Sequence, residues 1–110
     1  MTLKYSDLTV EQLRQELGIL KEKAQNAEQL GDVSKVAIYQ RQLQIVASYM
    51  LNPTDFDAGA SYELTHDPGY NFYINYVNGI MAWGKRINLL GEMLEEEEAI
   101  PLSLLGEKLN

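Results

Sequence analysis

The strongest folding signal in the sequence is residues 70–86, in which two apolar runs flank Asn78-Gly79. A two-residue type I′ turn needs positive φ at both central positions, and Asn and Gly adopt that conformation most readily. We therefore predict a β-hairpin in which Ile74 pairs with Trp83. Alternation along both strands then places five residues on one face, which we expect to form the core of the sheet: Phe72, Ile74, Tyr76, Met81 and Trp83.

Two helices are predicted before the hairpin. The first begins with a capping box at Thr9–Gln12 and ends at Gly31. Its apolar stripe consists of Val10, Leu13, Leu17, Leu20, Ala24 and Ala27. The second begins at a Ser34 cap and ends before Pro53, which cannot continue a helix. Because the connection between them is very short, we expect an antiparallel αα-hairpin.

The second predicted helix is apolar on two sides. One broad stripe consists of Val36, Tyr39, Leu43, Val46, Ala47 and Met50. The opposite side carries Ile38, Ile45 and Tyr49. A helix with two apolar sides usually packs between two neighbours. We therefore expect Ile38, Ile45 and Tyr49 to contact either the β part of the chain or another subunit.

After the helices, the pattern changes to short strands and turns. We predict a strand over 56–64 that bends at Gly59, followed by a turn at 66–69. Residues 87–94 fit either a continued strand or a connection, and residues 99–105 fit a short strand or a single 3₁₀ turn. Three to five short strands with a glycine bend favour a small, partly open barrel.

The predicted fold class is therefore α+β, with a helical hairpin over 1–53 followed by a small antiparallel β-barrel over 54–110, packed together as one compact unit. The charge is divided in the same way. Residues 1–53 carry six basic and six acidic side chains, whereas residues 54–110 carry three basic and ten acidic ones, which accounts for the whole net charge of −7. Phosphate-binding surfaces concentrate positive charge, so non-specific nucleic-acid binding is disfavoured.

The composition also bears on location. The sequence contains no cysteine and no run of about 18 apolar residues, and its first residues lack the apolar core of a secretory signal. We therefore expect a cytoplasmic protein with no membrane association.

Eight short motifs are distributed along the chain: Lys23-Ala24, Ala27-Glu28-Gln29, Tyr49–Pro53, Gly59, Tyr62-Glu63-Leu64, Tyr76–Gly79, Ala82-Trp83-Gly84 and Glu95–Leu105. Together they resemble the YfhH-like family, a group of small uncharacterised proteins from Bacillus-like bacteria. The resemblance extends over nearly the whole chain. It implies a helical hairpin followed by an SH3-like barrel. Because the family brings no established activity, no functional residue is transferred from it.

Catalytic and metal-binding patterns are weak. His66 is the single histidine, and Asp55, Asp57 and Asp67 near it make a metal site conceivable, although a polar histidine in a turn is the simpler interpretation. No Ser, Thr or Cys stands in the context of a catalytic nucleophile, and the glycines do not have phosphate-loop spacing. We predict no enzyme activity, no metal and no cofactor. The acidic run Glu95–Glu98 is interpreted as a solvated segment.

Two functional hypotheses remain. The first is a non-catalytic protein-interaction or regulatory module, which binds an unknown protein or itself through the second apolar side of helix two and the outward face of the hairpin, expected at Tyr73, Val77, Ile80 and Ala82. The alternative is a single-stranded nucleic-acid-associated SH3-like domain in which tyrosines stack on bases beside Lys or Arg. An aromatic cage for a methylated cation is a weaker third option. The candidate interaction residues are Ile38, Ile45, Tyr49, Tyr70, Tyr73, Lys85 and Arg86.

Overall fold

The computed structural model describes residues 4–109, and the chain divides into two compact units, Met1–Met50 and Leu51–Asn110. The first unit consists of a 3₁₀ turn (Tyr5–Asp7), helix α1 (Val10–Gln29) and helix α2 (Val33–Tyr49). The helices pack against each other, as the sequence predicted. Their core is formed by buried residues and the partly buried side chains around them: Leu13, Leu20, Val46, Tyr5, Leu8, Leu17, Tyr39, Leu43, Tyr49 and Met50.

Side-chain caps fix where the two helices begin. The Thr9 hydroxyl accepts a hydrogen bond from the Gln12 amide at 3.1 Å, and the Gln12 side chain accepts one from the Thr9 amide at 2.9 Å, which confirms the predicted capping box. Helix α2 begins earlier than predicted. Asp32, not Ser34, is its N-cap, because the Asp32 carboxylate accepts from the Lys35 amide at 3.1 Å. The turn between the helices uses Gly31 at φ 71°.

The second unit is a five-stranded antiparallel sheet. Its strands are β1 (Ser61–Leu64), β2 (Tyr70–Asn78), β3 (Met81–Asn88), β4 (Met93–Pro101) and β5 (Leu105–Lys108), in the spatial order β4-β3-β2-β1-β5. Two 3₁₀ turns, Pro53–Asp55 and Leu102–Leu104, complete the unit. The two helices followed by this sheet confirm the α+β prediction. The predicted strand over 56–64 is shorter than expected and begins only at Ser61.

The sheet is not closed, so the predicted barrel is not confirmed. Strands β4 and β5 lie at opposite edges and do not pair with each other. Even so, only the 3₁₀ turn Leu102–Leu104 joins them. Five flat strands would separate the two edges by roughly 19 Å, whereas a single 3₁₀ turn advances by about 2 Å per residue. The sheet must therefore curl strongly, which brings the end of β4 close to the start of β5.

The predicted hairpin between β2 and β3 is present, but its turn lies one residue later than predicted. Asn78 pairs with Met81, so the turn is centred on Gly79 and Ile80. Gly79 has φ 60°, and none of the described non-glycine residues has positive φ. Positive φ at the first central residue alone is typical of a type II′ turn, so the predicted type I′ turn at Asn78-Gly79 is wrong.

A β-bulge in β2 changes which residues face the core. Ile74 pairs with Gly84 and Tyr76 pairs with Trp83, so Asn75 is an extra residue in the strand. An extra residue shifts the alternation by one position, and every later side chain changes face. Phe72 and Ile74 are fully buried, as predicted.

Beyond the bulge the prediction is wrong. Val77 and the buried Ala82 belong to the core, although both were expected on the outward face. Tyr76 is 45% exposed, and its ring stacks on Trp83 at a centroid distance of 5.8 Å. The core of the second unit consists of Ala60, Tyr62, Leu64, Phe72, Ile74, Ala82, Ile100, Leu102 and Leu105.

Candidate interaction surface

The three residues proposed on the second side of α2 have different surroundings. Ile38 is 55% exposed, and Ile45 is half-buried. Tyr49 packs into the core of the helical unit, where its ring lies 5.9 Å from that of Tyr5. Of the three, Ile38 therefore presents the most accessible apolar surface.

Arg86 is held by two carboxylates and an aromatic ring. Its Nε donates to Glu98 at 3.0 Å, its Nη1 donates to Asp67, and its guanidinium carbon lies 5.5 Å from the centre of the Tyr70 ring. The hydrogen bond to Glu98 is the main reason that the pKa of Arg86 is raised above its ordinary value. Tyr70 and Arg86 thus contact each other, but both carboxylates already neutralise the guanidinium.

Tyr73 and Lys85 are paired neighbours on β2 and β3, and Lys85 also pairs with Glu97 of β4. Tyr76 and Trp83, whose rings stack, are paired two residues closer to the turn along β3. They lie on the same side of the sheet as Tyr73 and Lys85. The structure thus brings Tyr73 and Lys85 near a stacked pair of the exposed Tyr76 and the half-buried Trp83, both of which the sequence predicted in the core.

The acidic run is not a free segment. Glu95–Glu98 lies within the edge strand β4, where Glu97 accepts a hydrogen bond from the Asn75 side chain at 3.0 Å and Glu98 binds Arg86. An edge strand exposes unpaired backbone groups, and charged side chains on it discourage pairing with other chains. This run is accordingly part of the sheet, with a structural role for at least Glu97 and Glu98.

The residues considered for a metal site have other partners. Asp67 binds Arg86, and Asp57 accepts a hydrogen bond from the Lys108 ammonium at 2.8 Å, which raises the pKa of Lys108. His66 is exposed in the turn between β1 and β2. Within residues 4–109, no three His, Cys, Asp or Glu side chains are grouped as metal ligands would be.

Four of the exposed large apolar residues in the described part of the chain fall within six residues at the turn between β3 and β4, which we call the hairpin tip (residues 89–94). Leu89 and Leu90 are 75% and 84% exposed, and Met93 and Leu94 are also exposed. The sequence analysis left this segment undecided between strand and connection. The signal that would have identified it is Asn88 followed three residues later by Gly91, a pair of turn-forming residues between two apolar runs.

The hairpin tip is ordered by the Asn88 side chain together with backbone hydrogen bonds. The Asn88 Oδ1 atom accepts hydrogen bonds from the Leu90 amide at 3.0 Å and the Glu92 amide at 2.9 Å. The Asn88 amide donates to the Glu92 carbonyl at 2.9 Å, and the Gly91 amide donates to the Asn88 carbonyl at 3.0 Å. Gly91 adopts φ 83°. The exposed leucines are therefore presented by a well-bonded turn.

Membrane insertion through a helix has no support in the structure: across residues 4–109, neither α1 nor α2 has the length and apolar character that crossing a bilayer requires.

Comparison with known proteins agrees with the motifs noted in the sequence. Residues 3–106 match a family described as "Protein of unknown function (DUF1811)". The chain is also similar to the uncharacterized protein YfhH of Bacillus subtilis (strain 168), with 37% identity over 108 residues that cover 98% of this chain and 99% of the relative. The predicted resemblance to YfhH-like proteins is confirmed. The chain belongs to the DUF1811 family of proteins of unknown function.

Proposed function

We propose that this protein is a non-catalytic protein-interaction module whose contact surface is the hairpin tip. The observation that carries the proposal is the exposure of four large apolar side chains within six residues: Leu89 and Leu90 in an ordered turn, and Met93 and Leu94 at the start of β4. Scattered exposed apolar residues are normal on a protein surface, whereas a contiguous group is typical of a binding site.

Energetics support a binding role for the tip. Complete burial of a leucine side chain contributes roughly 1.5–3 kcal/mol, and both tip leucines keep most of that surface exposed. A partner that covered them would recover this free energy. Because Asn88 already orders the turn, binding would cost little conformational entropy.

The charge around the tip indicates the kind of partner. Glu92 lies within the turn, and Glu95 and Glu96 follow on β4, all exposed. Acidic surfaces associate most readily with basic ones, because complementary charge raises the association rate and disfavours wrong partners. We therefore propose a protein partner with an apolar pocket and a basic rim.

In-cell photo-crosslinking tests the proposal. A photoreactive residue at position 90 should form a discrete protein adduct, whereas the same residue at position 109, which is also exposed in the second unit, should form only background. The substitutions Leu89→Ser and Leu90→Ser should remove the interaction, and the matched control Leu109→Ser should not. Circular dichroism of each variant checks the fold. Equal background at positions 90 and 109 would refute the proposal.

The alternative, binding of single-stranded nucleic acid, has one specific observation in its favour. The exposed Tyr76 and the half-buried Trp83 stack with an interplanar angle of 8° close to Lys85, which resembles the combination of aromatic platform and cation used for bases. Arg86 contributes less positive charge to this surface than expected, because Asp67 and Glu98 neutralise its guanidinium.

Fluorescence gives a direct test of this alternative, because Trp83 is the single tryptophan. Stacking of a base should quench its emission when a thymidine oligonucleotide is added at low salt, and Lys85→Glu should weaken the effect. Unchanged emission at saturating oligonucleotide would exclude stacking on this pair.

Two finer predictions also belong to the proposal. We propose that the five strands have an SH3-like arrangement, and the strong curl imposed by the 3₁₀ turn Leu102–Leu104 between β4 and β5 supports this. We also propose a cytoplasmic location, which rests on the absence of cysteine. Localisation of a fluorescent fusion would test the second point.

A further inference from the structure

The helical unit carries a surface groove whose charge complements that of the hairpin tip. This helical groove has a volume of about 190 Å³ and lies near the turn between α1 and α2. Leu30 provides most of the exposed apolar surface at the groove, with an exposure of 84%. Tyr39 is half-buried, and Ala27, although in the lining, is almost fully buried. Val33, next to the groove in sequence, is also highly exposed. The chain therefore leaves a second apolar surface open, in addition to the hairpin tip.

The charges at the groove are opposite to those at the tip. Lys23 and Lys35 line the groove together with one acidic residue, Asp32. Asp32 is already used as the cap of α2, and its carboxylate lies 4.0 Å from the Lys35 ammonium, at the limit of an ion pair. Lys23 has no ion pair among the described residues, so the groove keeps a net positive charge.

We infer that the hairpin tip of one copy docks into the helical groove of a second copy. Leu89 and Leu90 then cover the apolar surface of the groove, and Glu92 lies beside Lys23 and Lys35. This inference rests on the proposed function and names a second copy of the chain as the partner with the apolar pocket and basic rim.

The contact joins two different surfaces. When two copies make it reciprocally, it closes an isologous dimer; when each copy uses only one surface, it is heterologous and gives a ring or an open chain. A turn seated in a small groove buries far less area than a permanent interface does, and such contacts are transient. We expect a dissociation constant of roughly 10 µM to 1 mM.

Sedimentation velocity tests the inference with the full chain. The average mass should rise above the 12.5 kDa of one chain as the concentration approaches about 1 mM. Leu90→Glu in the tip and Lys23→Glu in the groove should each weaken association by about tenfold or more. The matched control is Lys21→Glu, which makes the same charge change on an exposed position of α1 outside the groove residues.

Mixing the two defective variants provides the decisive measurement. The Leu90→Glu protein keeps an intact groove and the Lys23→Glu protein keeps an intact tip, so their mixture should associate more strongly than either variant alone. Contact between two tips would not behave in this way, because Lys23→Glu alone would then associate as the wild type does. Association that is insensitive to Lys23→Glu, or a mixture that stays monomeric, would overturn the inference.

The crosslinking experiment separates failure of this inference from failure of the proposed function. Docking of two copies predicts a position-90 adduct with twice the mass of the chain. A wild type that stays monomeric near 1 mM, together with an adduct to a different protein, would overturn self-docking and leave the interaction module supported. A monomer that forms no adduct would overturn both.

Discussion

Replacement of Gly84 by alanine should strongly destabilise the second unit, because there is no space for a side chain at this position. A Cβ atom at Gly84 would overlap the carbonyl oxygen of Tyr73, and would lie 2.9 Å from the Tyr73 carbonyl carbon and 3.1 Å from the Ile74 Cα. All three are backbone atoms, so no change of side-chain rotamer relieves the overlap. Carbon atoms pack at about 3.5–4.0 Å, so β2 and β3 would have to separate by on the order of 1 Å.

The expected loss of stability is about 3–5 kcal/mol. Overpacking in a well-packed region costs about 1–3 kcal/mol. Separation of the strands would also weaken the adjacent ladder hydrogen bonds, at about 1 kcal/mol each. A unit of this size has a total stability of roughly 3–9 kcal/mol, so the expected loss removes from about a third to all of it.

Denaturation followed by tryptophan fluorescence reports on the stability of the second unit, because Trp83 is the single tryptophan and lies on β3. Gly69→Ala is the matched control. A Cβ at Gly69 would lie 3.8 Å from the Asp67 Oδ1 atom, an ordinary contact, and its φ is not positive, so the change should stay within about 0.5 kcal/mol. A Gly84→Ala protein within about 1 kcal/mol of the wild type would refute the argument from the close backbone approach.

Three further changes test other parts of the structure. Gly18→Ala should stabilise the helical unit by about 0.5–1 kcal/mol, measured by thermal unfolding, because the site in α1 is open and alanine favours helix; a loss would contradict the helical geometry. Phe72→Ala should cost about 3–5 kcal/mol, whereas Trp83→Ala, from an outward stacked pair, should cost about 1–2 kcal/mol, and equal losses would contradict the assigned faces. Asn88→Ala should speed hydrogen exchange of the Leu90 amide by at least about fivefold, because the amide loses an acceptor worth about 1 kcal/mol, and unchanged exchange would show that the tip is held by other contacts.

The sequence predicted the helices well because their signals are local. The capping box at Thr9 and the apolar stripe of α1 depend on residues three or four positions apart, and the structure contains both. The start of α2 was predicted at Ser34, whereas the structure uses Asp32 as the N-cap. Both residue types cap helices, and the sequence pattern does not rank them. The hairpin was also recognised correctly from the apolar runs around Gly79.

The faces of the hairpin could not be predicted, because they depend on a bulge that no local pattern marks. Asn75 is polar, and its position in the strand fits uninterrupted alternation as well as it fits an extra residue. Burial of apolar side chains decides between regular alternation and a bulge. The bulge places Val77 and Ala82 in the core and leaves Tyr76 and Trp83 on the opposite face. Likewise, the pairing of β1 with β5 depends on contacts between distant residues, so the open sheet was not visible in the sequence.

The ion pairs around Arg86 were missed for the same reason. Asp67 lies in the turn before β2, and Glu98 lies on β4, so only the folded sheet brings them to Arg86. The hairpin tip is different, since Asn88 and Gly91 are close in sequence and mark a turn. Its four exposed apolar residues were not singled out, because the pattern of residues 87–94 fits a continued strand as well as a connection.

The bulge at Asn75 has a consequence for how sequences of related proteins are compared. A relative with one residue fewer between the positions of Ile74 and Tyr76 would keep a continuous alternation, and its aromatic residues at the later positions would turn inward. A tyrosine in such a relative that aligns with Tyr76 would then have the opposite solvent exposure, although the residue type is the same. In this family, a single-residue gap in β2 therefore indicates whether the bulge is present. Substitution patterns at the β2 positions after the gap are comparable only among chains that share the bulge.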